Sequence, residues 1–314
     1  MVAAQFRRCG NAAEVINFAK WPIPEPGPGE VLLRMQAASL HPADRMFIAG
    51  TYRIQPQFPQ VAGLVGAGLV VQCGAGVDIP LGTLVAFRHP GAWAEFCSVP
   101  ADRIFVVPSG IDEADASQFA LNPVTAWALL DLVGVGRGDW LAVNAARSNV
   151  VDIVRSLAKP QGINVVDIPN ASTEASGHQI GTLAQTLLST TANQPIAALL
   201  DAVGGPQLKA SLPALRQGGV VVSYGLLSAD AALIHNADMI YRNLTWHGFG
   251  VDDWLSRNAH KRDAMQFELW NAIAGKTLRL PTRGRFALSE LRDALQADAT
   301  AGTGKVILTM GEAA

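Results

Sequence analysis

Apolar residues fall into two textures along this chain. Over residues 1–117 they come in short runs, Val31-Leu32-Leu33-Arg34-Met35, Gly68-Leu69-Val70-Val71, Leu84-Val85-Ala86-Phe87 and Arg103-Ile104-Phe105-Val106-Val107, separated by turn residues. Runs this short and closely spaced predict β-strands in a compact, barrel-like domain. Residues 22–30, P-I-P-E-P-G-P-G-E, contain four prolines, which remove hydrogen-bond donors and fix φ, so this stretch is an extended connector into the strand at Val31.

Past residue 117 the texture changes. Ala, Leu and Trp recur at helical spacing over 117–133, and the boundary between two domains is placed at 117/118. Strands and helices then alternate: strand 141–144, helix 150–159, strands 163–168 and 197–201, helix 207–215, strand 220–224. Alternation of this kind predicts a parallel sheet covered on both faces by helices, in the doubly wound arrangement that binds dinucleotides. Between 168 and 197 the polar segment has no strong period, apart from one helix over 180–188. A strand-like run at 244–249 and a helix over 261–274, ended by Gly275, complete this domain at 278. Residues 279–314 return to the first domain through a helix N-capped by Ser289, with Leu291, Ala294 and Leu295 on one face, and a closing strand G-K-V-I-L-T-M. The fold class is therefore α/β: a β-rich domain, 1–117 completed by 279–314, and a doubly wound domain, 118–278.

The stretch W-L-A-V-N-A-A-R-S-N-V-V-D-I-V-R-S-L-A-K, 140–159, reads as strand, polar turn and helix, with Val150, Ile153, Val154, Leu157 and Ala158 on the apolar face. At such a turn the N–H groups and dipole of the helix N-terminus attract a pyrophosphate. The glycines expected there are absent. Asn149, Val150 and Val151 occupy the tightest part, so the Val151 side chain is expected to obstruct a phosphate and Asp152 to add an unfavourable charge. Arg147 and Ser148 offset this by contacting phosphate directly.

Composition narrows the function. The 314 residues are 49% hydrophobic and 16% charged with a net charge of −2, which gives no electrostatic reason for a nucleic-acid or anionic-membrane partner and favours a small apolar substrate. Cys9, Cys73 and Cys97 form no C-x-x-C pair and read as reduced thiols rather than metal ligands. With no apolar stretch approaching the ~18 residues of a membrane span, and no signal-peptide pattern in M-V-A-A-Q-F-R-R-C-G, the expected location is the cytoplasm.

A series of stretches then carries a resemblance: P-E-P-G-P-G-E-V-L-L-R near the start, H-P-A-D-R-M-F-I-A-G-T-Y (41–52), F-P-Q-V-A-G-L-V-G-A-G (58–68), N-P-V-T-A-W-A-L-L (122–130), A-V-G-G (202–205), G-G-V-V-V-S-Y-G (218–225), H-G-F-G-V-D-D-W (247–254) and G-K-V-I-L-T-M. In this order and spacing they resemble the zinc-independent branch of the medium-chain dehydrogenase/reductase family, whose two domains are a GroES-like catalytic domain and a Rossmann domain. Within that branch the chain is more similar to 2-enoyl thioester reductases than to quinone reductases. Zinc-dependent members carry a cysteine near His41 and a histidine-glutamate pair near Gly63. Here Leu64 and Val65 stand at the latter positions, and the four-cysteine zinc lobe is missing. No metal is expected.

The resemblance implies an NADPH-dependent reductase, with NADH as the alternative cofactor, that transfers hydride to the β-carbon of a conjugated carbonyl compound. Tyr52 is then the catalytic donor beside the substrate carbonyl; by itself a tyrosine there could equally be packed at a domain edge. Asn122 and Thr125 are placed near the nicotinamide, Arg147, Ser148, Asn149 and Val150 at the pyrophosphate, Tyr224, Gly225, Leu226 and Phe249 along the cofactor cleft, and Lys305 toward the phosphate region. Other roles are open to several of these: Asn122 as a helix cap, Phe249 as core, Lys305 as a solvated strand end. At the 2′-phosphate position stands Asn170, or Asp167 on a second alignment, and Asp167 would favour a free ribose hydroxyl. His41 and Trp254 are candidates for the substrate pocket, His41 alternatively being packed in a loop. Relatives commonly form homodimers through strands near Val222 and Trp246. A competing reading is a fold-retaining relative whose nucleotide site has decayed into a non-catalytic binding protein.

Overall fold

The computed structural model describes residues 1–169, 179–300 and 302–310. The chain forms two compact units, Met1–Pro123 with Gln266–Ala314, and Val124–Met265. The divisions expected at 117/118 and 278/279 both fall inside the first unit.

The first unit carries strands β1 (Val2–Phe6), β2 (Asn17–Lys20), β3 (Glu30–Ser39), β4 (Gln60–Val61), β5 (Val65–Cys73), β6 (Leu84–Arg88), β7 (Phe96–Pro100) and β8 (Ile104–Val106). The second carries β9 (Trp140–Val143), β10 (Asn164–Asp167), β11 (Ile196–Asp201), β12 (Leu215–Ser223) and β13 (Thr245–Gly248), before the chain returns to the first with β14 (Thr282–Ala287) and β15 (Lys305–Thr309). In the first unit a seven-stranded sheet runs β14-β15-β3-β5-β6-β8, with β7 also on β3, beside a three-stranded sheet β2-β1-β4. The ten-residue β3 is its spine. It pairs antiparallel with β5, β7 and the returning β15, and its residues Val31, Leu33, Met35 and Ala38 are buried.

Three helices position what matters in this unit. The first, α1, spans Ala12–Val15; α2 spans Pro42–Ala49; and α3 spans Glu113–Phe119. The helical texture expected over 117–133 is in fact two helices: α3, opened by Asp112, whose carboxylate accepts from the Asp115 amide at 2.7 Å, and α4 (Asn122–Val133). Pro123 explains the break, because it has no N–H to donate back to the preceding turn. The face of Phe119 stacks on Trp270, ring centroids 3.6 Å apart, and Phe105 meets it edge-on.

In the second unit all five strands are parallel, in the order β10-β9-β11-β12-β13. The order reverses between β9 and β11, which makes the C-terminal ends of those strands the switch point where ligands of doubly wound sheets bind. Helix α5 (Asn149–Gln161) covers the sheet with Val151, Ile153, Val154, Leu157 and Ala158 buried, each large one contributing roughly 1.5–3 kcal/mol. It ends at Gly162 in the left-handed conformation. The helix expected over 180–188 lies within α6 (Gln179–Thr190).

Two further helices, α7 (Gly205–Ser211) and α8 (Asn236–Ile240), precede α9 (Val251–Arg257) and α10 (Arg262–Ala274), and α11 (Leu291–Ala299) closes the set. The expected N-cap at Ser289 is corrected. Glu290 reaches back to accept from the Ala287 amide at 2.8 Å, winding 288–290 into a 3₁₀ turn, and α11 begins at Leu291. Leu291, Ala294 and Leu295 are buried together as expected. Among the described residues no helix is long and apolar enough to cross a membrane, and no group of three or more His, Cys, Asp or Glu is placed to hold a metal ion.

Candidate active site

Each unit carries its own group of candidate residues. In the second unit the turn after β9 runs Asn144-Ala145-Ala146-Arg147-Ser148. Ala145 takes a φ of 51°, and Ser148 caps α5 by accepting from the Val151 amide at 3.3 Å. This cap sets the phase of α5. Val151 has no exposed surface and points into the core, so the expected obstruction is corrected: the valine that replaces a glycine is absorbed by the helix–sheet packing rather than by the turn.

The turn opens onto a cavity of about 410 Å³ lined by Ala145, Ala146, Arg147, Ser148, Asp167, Ile168, Pro169, Val203 and Leu227. Arg147 is exposed and carries no ion pair among the described residues. The Tyr224 phenol lies against the Ser148 hydroxyl, with its oxygen buried and in good hydrogen-bond alignment with no group among the described residues; burial pushes its ionisation upward, an effect the nearby serine partly offsets. A buried unpartnered hydroxyl, free N–H groups at the start of a thirteen-residue helix and an unpaired guanidinium together suit a pyrophosphate.

Two charge arrangements flank the turn. Arg155 donates to Asp152 and to the Ala146 carbonyl, both at 2.9 Å, and also pairs with Asp167. Asp152 is therefore neutralised by its own helix, and the concern about its charge is corrected. Behind the turn, Asp201 is fully buried at the end of β11. Its carboxylate accepts from Asn144 Nδ2 (2.6 Å), the Gly204 amide (2.8 Å), the Val203 amide (3.2 Å) and Ser223 Oγ (2.9 Å), while Asn144 Oδ1 accepts from the Ala202 amide at 2.7 Å. The network ties β9, β11 and β12 together at the switch point. Gly225 fits beside it because a Cβ there would lie 2.5 Å from the Ala202 carbonyl oxygen.

The other cofactor candidates are placed differently. Asn149 and Val150 form the first turn of α5, Leu226 is exposed, and Asn122 and Thr125 are buried at the start of α4. Asn170 lies outside the described residues. Phe249 and Trp254 line a separate hollow of about 310 Å³ with His247 and Lys261, where Lys261 holds both Asp131 oxygens at 2.7 Å; Trp254 meets Trp127 edge-on. Lys305 is buried in the first unit, its ammonium donating to the Leu40 carbonyl at 3.1 Å.

In the first unit, α2 ends at Gly50 with a φ of 74°, a left-handed value that glycine adopts without strain. The Thr51 and Tyr52 amides then both return to the Met46 carbonyl, at 2.9 and 3.2 Å, which presents the Tyr52 ring just past the helix. Its phenol oxygen accepts from Arg88 Nη2 at 2.9 Å. Nearby, His41 is buried. Ser39 Oγ donates to the Ser117 carbonyl at 2.7 Å, so His41 Nε2–H must donate to Ser39 Oγ at 2.9 Å, which assigns the tautomer. Burial, then the charges of Lys305 and Arg88, hold the His41 imidazole well below its usual pKa, and it is neutral near pH 7. Asp44 accepts from the His41 amide (2.7 Å) and the Leu64 amide (2.8 Å); burial still pushes its carboxyl up to about 7. These residues brace α2 against the sheet, and His41 serves as a packed, hydrogen-bonded member of that brace.

Sequence reasoning did not single out Arg88, Arg155, Asn144 or Asp201. Arg88 alone left a trace, as a charge at the end of the apolar run L-V-A-F-R.

Residues 27–109 match the Alcohol dehydrogenase GroES-like domain. The mitochondrial enoyl-[acyl-carrier-protein] reductase of Dictyostelium discoideum is 28% identical over 306 residues, 89% of this chain and 85% of that protein. A Schizosaccharomyces pombe protein named "Probable quinone oxidoreductase" is 28% identical over 316 residues, 96% of this chain and 94% of its own. A mycobacterial structure complexed with NADPH superposes with a TM-score of 0.86 at 25% identity, covering 99% of this chain and 100% of that one. Residues 27–109 thus carry a GroES-like domain, the second unit holds a parallel Rossmann-like sheet, and over most of its length the chain is similar to enoyl-acyl-carrier-protein reductases and quinone oxidoreductases.

Proposed function

We propose that this protein is an NAD(P)H-dependent reductase of conjugated carbonyl compounds, with 2-enoyl thioesters favoured over quinones. The observation that carries this reading is the Tyr52 phenol, fixed at its oxygen by Arg88, in a chain similar over most of its length to an enoyl-acyl-carrier-protein reductase. The N-P-x-T-A and G-F-x-x-x-x-W patterns support the choice of thioester. NADPH is the nucleotide seen with a structural relative, and NADH is the alternative cofactor.

Bound NAD(P)H supplies the hydride. Arg147, Ser148, the first amides of α5 and Tyr224 would hold its phosphates. Hydride addition at the β-carbon shifts the alkene pair into a bond between the α- and carbonyl carbons and the carbonyl π pair onto oxygen, and Tyr52 donates a hydrogen bond to that oxygen as its charge develops. The α-carbon then takes its proton from solvent or from the Tyr52 phenol, which solvent reprotonates. The mechanism needs no metal: Leu64 and Val65 stand where zinc-dependent relatives carry ligands. A non-catalytic, decayed relative is the weaker reading, because Val151 lies in the core and leaves the turn open. We also propose a homodimer through β13, the edge strand of its sheet, on which Trp246 is 38% exposed.

The test is substrate-dependent oxidation of NADPH by the purified protein with a trans-2-enoyl thioester and with a quinone. Turnover of the thioester is expected; oxidation with neither substrate would overturn the reading. Cofactor choice has its own test. Asp167, at the end of β10, faces the nucleotide cavity and disfavours a 2′-phosphate. Asp167→Asn is expected to move the ratio of NADPH to NADH affinity about tenfold toward NADPH, the scale of one charged hydrogen bond at a half-exposed carboxylate. An unchanged ratio in parallel titrations would remove Asp167 from cofactor selection.

A further inference from the structure

We propose that Arg88 is a positioning residue for the reduction: it holds the Tyr52 phenol by its oxygen and polarises the O–H toward the substrate carbonyl. This rests on the role given to Tyr52 above.

Arg88 closes β6, whose preceding residues Val85, Ala86 and Phe87 have no exposed surface, and it pairs in register with Val65 of β5. It is itself only 5% exposed. Burying a guanidinium in such a place is unfavourable against an apolar side chain of similar size, so what it holds bears on why it is there. The structure supplies one. Arg88 Nη2 donates to the Tyr52 phenol at 2.9 Å, across 36 residues of sequence.

The direction of that bond matters. A phenol has one proton to donate, and its oxygen also accepts. Because Arg88 has no acceptor capacity, the oxygen must accept from it, and the phenol proton points elsewhere. Among the described residues nothing takes that proton. Tyr52 is thus oriented as a donor with a free O–H, on a backbone fixed by the two bonds to Met46 and by Gln55, whose Nε2 donates to the Tyr52 carbonyl at 2.7 Å.

The guanidinium remains charged at all relevant pH values, and drawing density from the phenol oxygen strengthens the O–H as a donor. Lys305 adds a second buried cation nearby, and both charges act on His41, so the local field favours a negative oxygen. This help grows as charge develops on the substrate. It should therefore appear in kcat and leave KM little changed.

A double-variant cycle on the full chain tests this, with thioester turnover and NADPH binding measured for wild type, Arg88→Met, Arg88→Lys, Tyr52→Phe and the pair Arg88→Met with Tyr52→Phe. Arg88→Met is expected to lower kcat roughly ten- to a hundredfold, the range of a charge-assisted hydrogen bond, with KM and NADPH affinity near wild type. Arg88→Lys should retain part of the rate. In the Tyr52→Phe background, Arg88→Met should change kcat by less than about twofold, because the residue it acts through is gone. Losses that simply multiply in the double variant would overturn the proposal while leaving the reductase reading intact; an inactive wild type would overturn the reading itself.

Should Arg88→Met fail to fold, Arg88→Lys keeps the buried cation and carries the test through the ¹³Cζ resonance of Tyr52, resolvable among three tyrosines. A moved resonance supports the contact, and an unmoved one overturns it.

Discussion

Tyr52→Phe is expected to lower kcat on a 2-enoyl thioester roughly 10²- to 10³-fold, the scale of losing one preorganised donor to a developing oxyanion. The variant removes a single oxygen. The ring keeps its place, because the two amide bonds to Met46 and the Gln55 contact involve only backbone of residues 51 and 52. NADPH affinity should stay near wild type, since the turn at 145–148 belongs to the other compact unit. Arg88 loses the acceptor for its Nη2, and that cost falls on stability. Steady-state kinetics separate the effects. A drop confined to kcat supports Tyr52 as a transition-state donor, whereas equal turnover removes it from the mechanism.

The second large effect is structural. Asp201→Ala deletes a buried carboxylate that satisfies Asn144, Ser223 and the amides of Val203 and Gly204 at once. Breaking one partner out of a buried charged network typically costs about 3–5 kcal/mol, because the remaining groups stay buried without it. Against total stabilities of about 5–15 kcal/mol that is enough to unfold the second unit at modest temperature. The loss should also reach the nucleotide site, since Asn144 begins the turn and its Oδ1 holds the Ala202 amide. Asp201→Asn keeps an acceptor and should cost markedly less. Thermal unfolding followed by tryptophan fluorescence checks both, with Trp246 reporting through its indole N–H bond to Ser223 at 2.9 Å. Equal midpoints for wild type and the alanine variant would contradict this role.

Much of this was legible in the sequence, and the exceptions have physical causes. The short runs of the first unit and the strand–helix alternation of the second identify both sheets, because burial enforces apolar runs wherever a parallel strand is covered on two faces. The phase of α5 was not legible. Periodicity put Val150 on the apolar face because it stands three and four residues before Ile153 and Val154, but the helix buries Val151 in its place. The Ser148 cap decides for Val151, and with it the fate of the turn.

Tyr52 was singled out by its place in A-G-T-Y, but its partner Arg88 was not, because a hydrogen bond formed across two elements leaves no local spacing to read. The same holds for Arg155, whose span from Asp152 to Asp167 joins a helix to a strand. Lys305 shows the converse. Its place in G-K-V-I-L suggested a cation at a strand end, yet β15 pairs with β3 in the interior and its ammonium meets the Leu40 carbonyl.

The central claim is that a turn without its usual glycines still holds a nicotinamide dinucleotide. Titrating NADPH and NADH into the protein, with the seven tryptophans as reporters, tests it most directly. Saturable quenching by both nucleotides is the predicted result, weakened when Arg147 is replaced by Ala; no change with either at millimolar concentration would contradict the account.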